Sequence, residues 1–293
     1  MVIIDGKETA EIIKKEIRAE VADMIDRKLA IPHLAAVLIG NDPASETYIR
    51  NKEKACKEVG IISSIYKYPS SVSQEELLDL IDFINNDDEI HGLIVQTPLP
   101  AHIQEKRIIE SINPAKDVDG FHPANAGRMM LGLPAYLPAT PYGIMQLLER
   151  YKIETEGKRC VVLGRSHNVG TPVGLLLSRK AYPGNCTVTI CHTLTHDIPG
   201  ITIKADILIA AMGQAEYVKA DMVRKGAVVI DVGIHRIKSA KSKTGFRITG
   251  DVKFDEVSKK ASHITPVPGG VGPMTVVSLL KNTVKAARKE VYG

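Results

Sequence analysis

Residues 161–177 read VVLGRSHNVGTPVGLLL: an apolar β-branched run, a glycine turn, then an apolar helix with proline near its start. That order is the opening crossover of a βαβ unit in a parallel sheet. Gly164 suits the tight turn, and Gly170 suits a close approach of helix to strand. Pro172 falls in the first helical turn, where its missing N–H costs nothing. Such a turn offers backbone N–H groups and the positive helix end to a pyrophosphate, although glycine turns also occur in α/β proteins that bind none. The middle glycine of the dinucleotide fingerprint is absent, with Ser166 near its place. The second strand ends Cys191-His192-Thr193, with no carboxylate for ribose hydroxyls, while Arg165 offers a fork that matches a 2′-phosphate. Together these two features favour NADP over NAD.

Outward from this segment the alternation of strand and helix continues. Downstream come strands Thr187 to Cys191, Asp206 to Ala210 and Ala227 to Val232, a basic, solvated hairpin tip at Lys238 to Lys243, and a closing helix Val276 to Lys289. Upstream lies a separate series. It begins with strand Val2 to Ile4, helix Glu8 to Arg27, strand Leu34 to Ile39 and helix Pro43 to Glu58, which Gly60 ends. Strand Ser64 to Tyr68, a helix opened by the Ser73/Glu76 capping box, and strand Gly92 to Val95 complete it. Between Asn113 and Pro141 the periodicity lapses and prolines and glycines gather, as in an active-site loop followed by an interdomain crossing. The expected fold is α/β in two domains: residues 1–140 with 274–293, and residues 141–273 as a Rossmann-like, doubly wound parallel sheet.

Composition excludes several other classes. Hydrophobic residues make up 44% and charged residues 25%, so a core is affordable, although without Trp and with four Phe it rests on aliphatic side chains. The formal charge of +4 is not gathered into a Lys/Arg block, which argues against a nucleic-acid partner. The amino terminus lacks the pattern of a signal peptide, and apolar runs are too short to span a bilayer. Cys56, Cys160, Cys186 and Cys191 show no metal-ligand spacing, and Cys160 and Cys191 read as buried small hydrophobes. Cytoplasm is the default compartment.

Candidate catalytic residues lie in the first series. Tyr48 and Lys52 are four apart on one helix and share a face, so a phenol and an ammonium project together. An exposed charged face with Tyr48 as packing explains the same spacing. Tyr-x-x-x-Lys also marks short-chain dehydrogenases, but there the glycine turn precedes the pair, and here it follows by more than a hundred residues. Gln96 ends the strand HGLIV, at the carboxyl edge where open α/β sheets place ligands. Asp119 lies in KDVDGF, which lacks the remaining oxygen ligands of a calcium loop, so no metal is expected. Either residue is also compatible with an ordinary polar loop. PVPGGVGPMT, with Pro268, Gly269 and Gly272, packs three glycines into four residues and reads as a binding loop ahead of a helix.

Taken in order, ASETYIRNKEKACKEVGI, GLIVQTPLP, DVDGFHPANAGR, PATPYGI, GRSHNVGTPV, DVGIHR, GDV and ITPVPGGVGPMT extend over almost the whole chain. On these blocks the sequence resembles the bifunctional methylenetetrahydrofolate dehydrogenase/methenyltetrahydrofolate cyclohydrolase family. The resemblance implies two α/β domains flanking a cleft, with the last helix returning to the first domain, and a homodimer. It implies NADP-dependent oxidation of 5,10-methylene-tetrahydrofolate, then hydrolysis to 10-formyl-tetrahydrofolate. It also implies that Tyr48 stacks on the folate, that Lys52 is the central catalytic group with Gln96 bonded to it, and that Asp119 holds the amino-pyrimidine edge. Gly164, Arg165, Ser166, Thr193 and Ile234 fall on the family's cofactor positions.

The sequence departs from the family at three places. Ala139 stands where members often have Cys; Thr193-Leu194 replaces a frequent Ser-Arg, leaving Arg165 as the clearest phosphate partner; and SRKAYPGN is long. Two other readings are a monofunctional dehydrogenase on this scaffold and a folate- or nucleotide-binding protein without turnover. Mere binding does not need a Lys–Gln pair.

Overall fold

A computed structural model describes residues 1–239 and 245–292. In chain order its first elements are β1 (Val2–Ile3), α1 (Gly6–Asp26), β2 (His33–Ile39), α2 (Pro43–Val59), β3 (Ile62–Tyr68), α3 (Gln74–Asn86) and β4 (Gly92–Val95). Then follow α4 (Glu105–Ser111), α5 (Pro123–Met130), α6 (Ala139–Arg150), β5 (Arg159–Leu163), α7 (Gly170–Ser178), β6 (Thr187–Cys191), α8 (Ile198–Thr202) and β7 (Ile207–Ala210). The remainder comprises β8 (Val228–Asp231), β9 (His235–Lys238), β10 (Phe246–Thr249), α9 (Phe254–Val257), β11 (His263–Ile264) and α10 (Val271–Ala287). Contacts divide the chain into one unit of residues 1–10 with 140–275 and another of residues 11–139 with 276–293.

The 11–139/276–293 unit is built on a parallel three-stranded sheet, ordered β3-β2-β4. Both faces of β2 are covered, so HLAAVLI is apolar almost throughout instead of alternating. Val37, Ile39, Leu77, Ile81, Ile84, Leu93 and Ile108 form one continuous core, each fully buried Ile or Leu contributing about 1.5–3 kcal/mol. Asp117 pairs with Leu93 in a parallel bridge and so extends this sheet beyond β4.

In the 1–10/140–275 unit six parallel strands run in the order β1-β11-β8-β7-β5-β6. From β5 the chain moves outward to β6, then crosses back to β7 on the other side. The carboxyl ends of β5 and β7 therefore flank the reversal of strand order, which is where open sheets of this kind bind ligands. Leu163, Leu208, Val229, Val257 and Ile264 fill the core. The antiparallel β9–β10 ribbon follows β8; most of the hairpin tip expected at Lys238 to Lys243 lies outside the described residues.

Two expectations are corrected. Residues 1–10 belong with the six-stranded sheet and not with the first series. Val2 N–H donates to Ser262 O at 2.7 Å and Ile4 N–H to Ile264 O at 2.8 Å, adding β1 to the edge beside β11. Backbone pairing selects this edge, and it leaves no trace in the side-chain pattern. The stretch read as loop between Asn113 and Pro141 holds α5, which His122 caps by accepting from Ala124 N–H at 3.0 Å, with Pro123 at its first position.

Candidate active site

Helix α2 presents the Tyr48/Lys52 face because its ends are fixed. Asp42 accepts from Ser45 N–H at 2.8 Å, Pro43 opens the helix, and Gly60, at φ 85°, closes it. Ile49, Cys56 and Val59 are buried, whereas Tyr48 is 51% exposed. Lys52 lies between, half-buried, and donates from Nζ to Gln96 Oε1 at 3.2 Å. Gln96 is itself oriented: its backbone N–H donates to Val37 O, and Nε2 donates to Thr97 O at 2.8 Å, leaving Oε1 for the lysine. Cys56, next on the same stripe, has its thiol pushed up to about 12 by burial, which makes it inert.

The 117–120 loop supplies the second part. Asp117 is buried, and it accepts from Phe121 N–H at 3.2 Å, His122 N–H at 2.8 Å and Asn125 Nδ2 at 2.8 Å. Burial nevertheless pushes its carboxyl up to about 6. Gly120, at φ +72°, leaves no room for a side chain against the Tyr136 carbonyl. Asn282 donates to Val118 O at 2.8 Å and Leu137 O at 2.9 Å, and Tyr292 donates to Asn125 Oδ1 at 3.0 Å. The result is a clamped loop carrying one carboxylate, Asp119, to which none of the described residues donates a hydrogen bond. Burial raises its carboxyl, and the Lys52 ammonium acts in the opposite direction. Lys52, Gln96 and Asp119 thus meet at the carboxyl edge of one sheet.

In the other unit Gly164, at φ +112°, touches the turn after β7: a Cβ there would lie 2.1 Å from the Ala211 carbonyl oxygen. A Cβ on Gly170 would strike the Gly164 carbonyl at 2.2 Å. Ser166 Oγ accepts from Val169 N–H at 3.2 Å and Gly170 N–H at 3.4 Å, so serine braces the turn that leads into α7 where the fingerprint has glycine. Arg165 and Thr193 are exposed. Ile234, 54% exposed, joins Pro268, Gly269 and Gly272 in lining a cavity of about 160 Å³. Gly6 carries no side chain because Gly270 O would lie 1.7 Å from its Cβ, and Lys7 N–H donates to Gly269 O at 2.9 Å. The structure therefore groups the glycine loop with Ile234, a link the sequence did not suggest.

Sequence reasoning missed the carboxylates that hold these loops: Asp117, Asp231 and Asp251. Asp231 lies in Asp-Val-Gly and Asp251 in Gly-Asp-Val, and this recurrence of Asp-Val beside a glycine was the available signal. Among the described residues no group of three or more His, Cys, Asp or Glu side chains is placed to hold a metal, and no helix is long and apolar enough to cross a membrane.

A glycine turn at the switch point of a six-stranded parallel sheet, in a chain whose other unit bears a Lys–Gln pair, defines a two-domain, dinucleotide-dependent α/β enzyme. Residues 4–119 match the catalytic domain of tetrahydrofolate dehydrogenase/cyclohydrolase, and residues 138–291 match its NAD(P)-binding domain. The bifunctional protein FolD of Bacteroides thetaiotaomicron is 57% identical over 292 residues, covering 100% of both chains. Among solved structures, the bifunctional FolD enzyme of Campylobacter jejuni superposes with a TM-score of 0.93 at 46% identity, covering 99% of each chain. That of Trypanosoma brucei, complexed with NADP and an inhibitor, gives 0.93 at 38% identity, covering 100% of this chain and 99% of that one. The chain belongs to the tetrahydrofolate dehydrogenase/cyclohydrolase family.

Proposed function

We propose that the protein oxidises 5,10-methylene-tetrahydrofolate to the methenyl cation with NADP and then hydrolyses that cation to 10-formyl-tetrahydrofolate. The observation that carries this reading is the Lys52–Gln96 pair at 3.2 Å beside Asp119, whose carboxylate lacks a donor among the described residues. Asp119 is the acceptor for the amino-pyrimidine edge of the pterin. Tyr48, exposed one turn from Lys52, stacks on the ring. Pro268, Gly269 and Gly272 complete the substrate-binding set.

The dinucleotide part of the reading fits the chain as folded. Gly164 and Gly170 keep the turn free of side chains, β6 ends without a carboxylate, and the exposed Arg165 guanidinium has no acidic partner among the described residues. Arg165 is assigned to the 2′-phosphate, and Gly164, Ser166, Thr193 and Ile234 to the rest of the dinucleotide. When bound, NADP supplies the hydride acceptor. For that step the protein's contribution is binding and alignment.

Hydration asks more of the side chains. Water adding to the bridge carbon must give up a proton, and N5 must gain one as its bond to that carbon breaks, leaving the formyl group on N10. Lys52 is the group that carries these protons, and neutral Gln96 fixes its Nζ without adding a charge. The protein is assigned to the cytoplasm, with small folates as ligands and neither nucleic acid nor membrane as partner; its four free, buried cysteines agree with a reducing compartment. A homodimer is part of the proposal, supported by the open edge of β6, where Ile190 is 39% exposed.

One spectrophotometric experiment tests the whole reading. With methylene-tetrahydrofolate, reduction should run faster with NADP than with NAD, and added methenyl-tetrahydrofolate should lose its ultraviolet band. Reduction without loss of that band would leave a dehydrogenase alone; neither signal would leave a binding protein.

A further inference from the structure

Two buried carboxylates that the chemistry above does not use close the carboxyl end of the six-stranded sheet. Asp231 ends β8 and accepts from Gly233 N–H at 3.0 Å, Asp251 N–H at 2.9 Å and Val252 N–H at 2.9 Å. Asp251 accepts from Met212 N–H at 2.6 Å and Gly213 N–H at 2.9 Å, the turn after β7, and its Oδ1 lies 2.7 Å from His235 Nε2. The glycines of the two motifs make room for each other's acid. A Cβ on Gly250 would lie 1.9 Å from Asp231 Oδ2, and one on Gly233 would lie 2.3 Å from Asp251 Oδ1. Asp231-Val232-Gly233 and Gly250-Asp251-Val252 are therefore a reciprocal clasp.

What the clasp holds is specific. On one side Asp251 fixes Met212 and Gly213, directly after the Ala211 carbonyl against which Gly164 turns. On the other side Asp231 fixes the Gly233 N–H, so Ile234 is aimed into the cavity it shares with Pro268 and Gly269. Ionised carboxylates receiving several N–H donors are stiff anchors, because each donor left without its acceptor in a buried site costs free energy. Burial pushes the Asp231 carboxyl up to about 6, with Asp251 raising it further and the three N–H donors opposing.

We propose that Asp251, backed by Asp231 and His235, is the positioning residue of the dinucleotide site, acting through the Met212–Gly213 turn without touching the reacting atoms. The inference rests on the dinucleotide reading proposed above. It implies that the Asp251 side of the clasp matters to hydride transfer and not to hydration, which uses no dinucleotide.

That asymmetry supplies the test. In Asp251→Ala the Met212 and Gly213 N–H groups and His235 Nε2 all lose their partner. Direct titration of NADPH by fluorescence should show at least tenfold weaker binding, and the Michaelis constant for NADP should rise to match. The rate and Michaelis constant of methenyl hydrolysis should stay within twofold. Unchanged NADPH binding, or equal loss of both activities, would overturn the proposal. Should Asp251→Ala fail to fold, His235→Leu decides: a several-fold rise in the NADP constant with intact hydrolysis supports it, and no rise overturns it. If the wild-type protein hydrolyses no methenyl compound, the functional reading fails, while NADPH titration of the variants still judges the clasp.

Discussion

In the 231–252 clasp both carboxylates are saturated by backbone N–H groups and a histidine. In the 117–120 loop Asp117 is saturated in the same way, but Asp119, two residues on, has no donor among the described residues. All four acids lie next to a valine, which follows Asp117, Asp231 and Asp251 but precedes Asp119, and a valine neighbour does not tell which oxygens will find donors. The difference lies in what the fold brings to each oxygen. A buried acid satisfied by N–H groups holds backbone; Asp119, partly exposed and without a donor among the described residues, is open to a donor from outside the chain. By that criterion the first unit offers a recognition carboxylate, and the second offers a rigid frame.

The contrast is broken most severely by removing the unsatisfied acid. Asp119→Ala should weaken folate binding by about 1–3 kcal/mol, roughly five- to hundredfold, and damage both activities, because a substrate amine loses its acceptor. Folate titration checks this, and unchanged affinity would place Asp119 with the structural acids.

Asp117 sharpens the comparison through pH. Its folded pKa of about 6 lies above the unfolded value of roughly 3.9, so folding favours the protonated form. The stability this contributes is full below the unfolded value and is lost as pH rises through about 6. Asp117→Asn abolishes that dependence. Urea unfolding at pH 4.5 and 7 should then show the wild type gaining about 2 kcal/mol relative to the variant on going to the lower pH. Parallel behaviour of the two would mean that the N–H donors outweigh burial.

The smallest expected effect lies at the exposed Arg165. Arg165→Ala should raise the Michaelis constant for NADP about tenfold and leave that for NAD nearly unchanged, because only NADP carries the phosphate. Equal shifts for both dinucleotides would make the arginine structural.

Features with a local cause were legible in the sequence. The Tyr48/Lys52 face follows from helical spacing, and Gly164 and Gly170 announce a turn whose close contacts the structure shows. The capping box at Ser73/Glu76 forms as written. Features decided by partners far along the chain were not. Asp117 and Asp119 are told apart by the N–H groups of Phe121 and His122 and by Asn125. The clasp joins motifs whose aspartates are 20 residues apart. The placement of β1 rests on main-chain bonds to Ser262 and Ile264, which no side-chain pattern encodes. Helix α5 hid behind prolines and glycines, although His122-Pro123 is a sound helix start.

The central claim is that one lysine serves the proton transfers of hydration and is dispensable for hydride transfer. Measuring both rates on a single preparation of Lys52→Met tests it most directly, since methionine keeps much of the length and packing of the side chain. Loss of general acid–base help predicts cyclohydrolase activity down by about 10²–10⁴-fold, with dehydrogenase activity persisting and methenyl-tetrahydrofolate accumulating in the ultraviolet. Equal loss of both rates in a folded variant, or full retention of hydrolysis, would contradict the account.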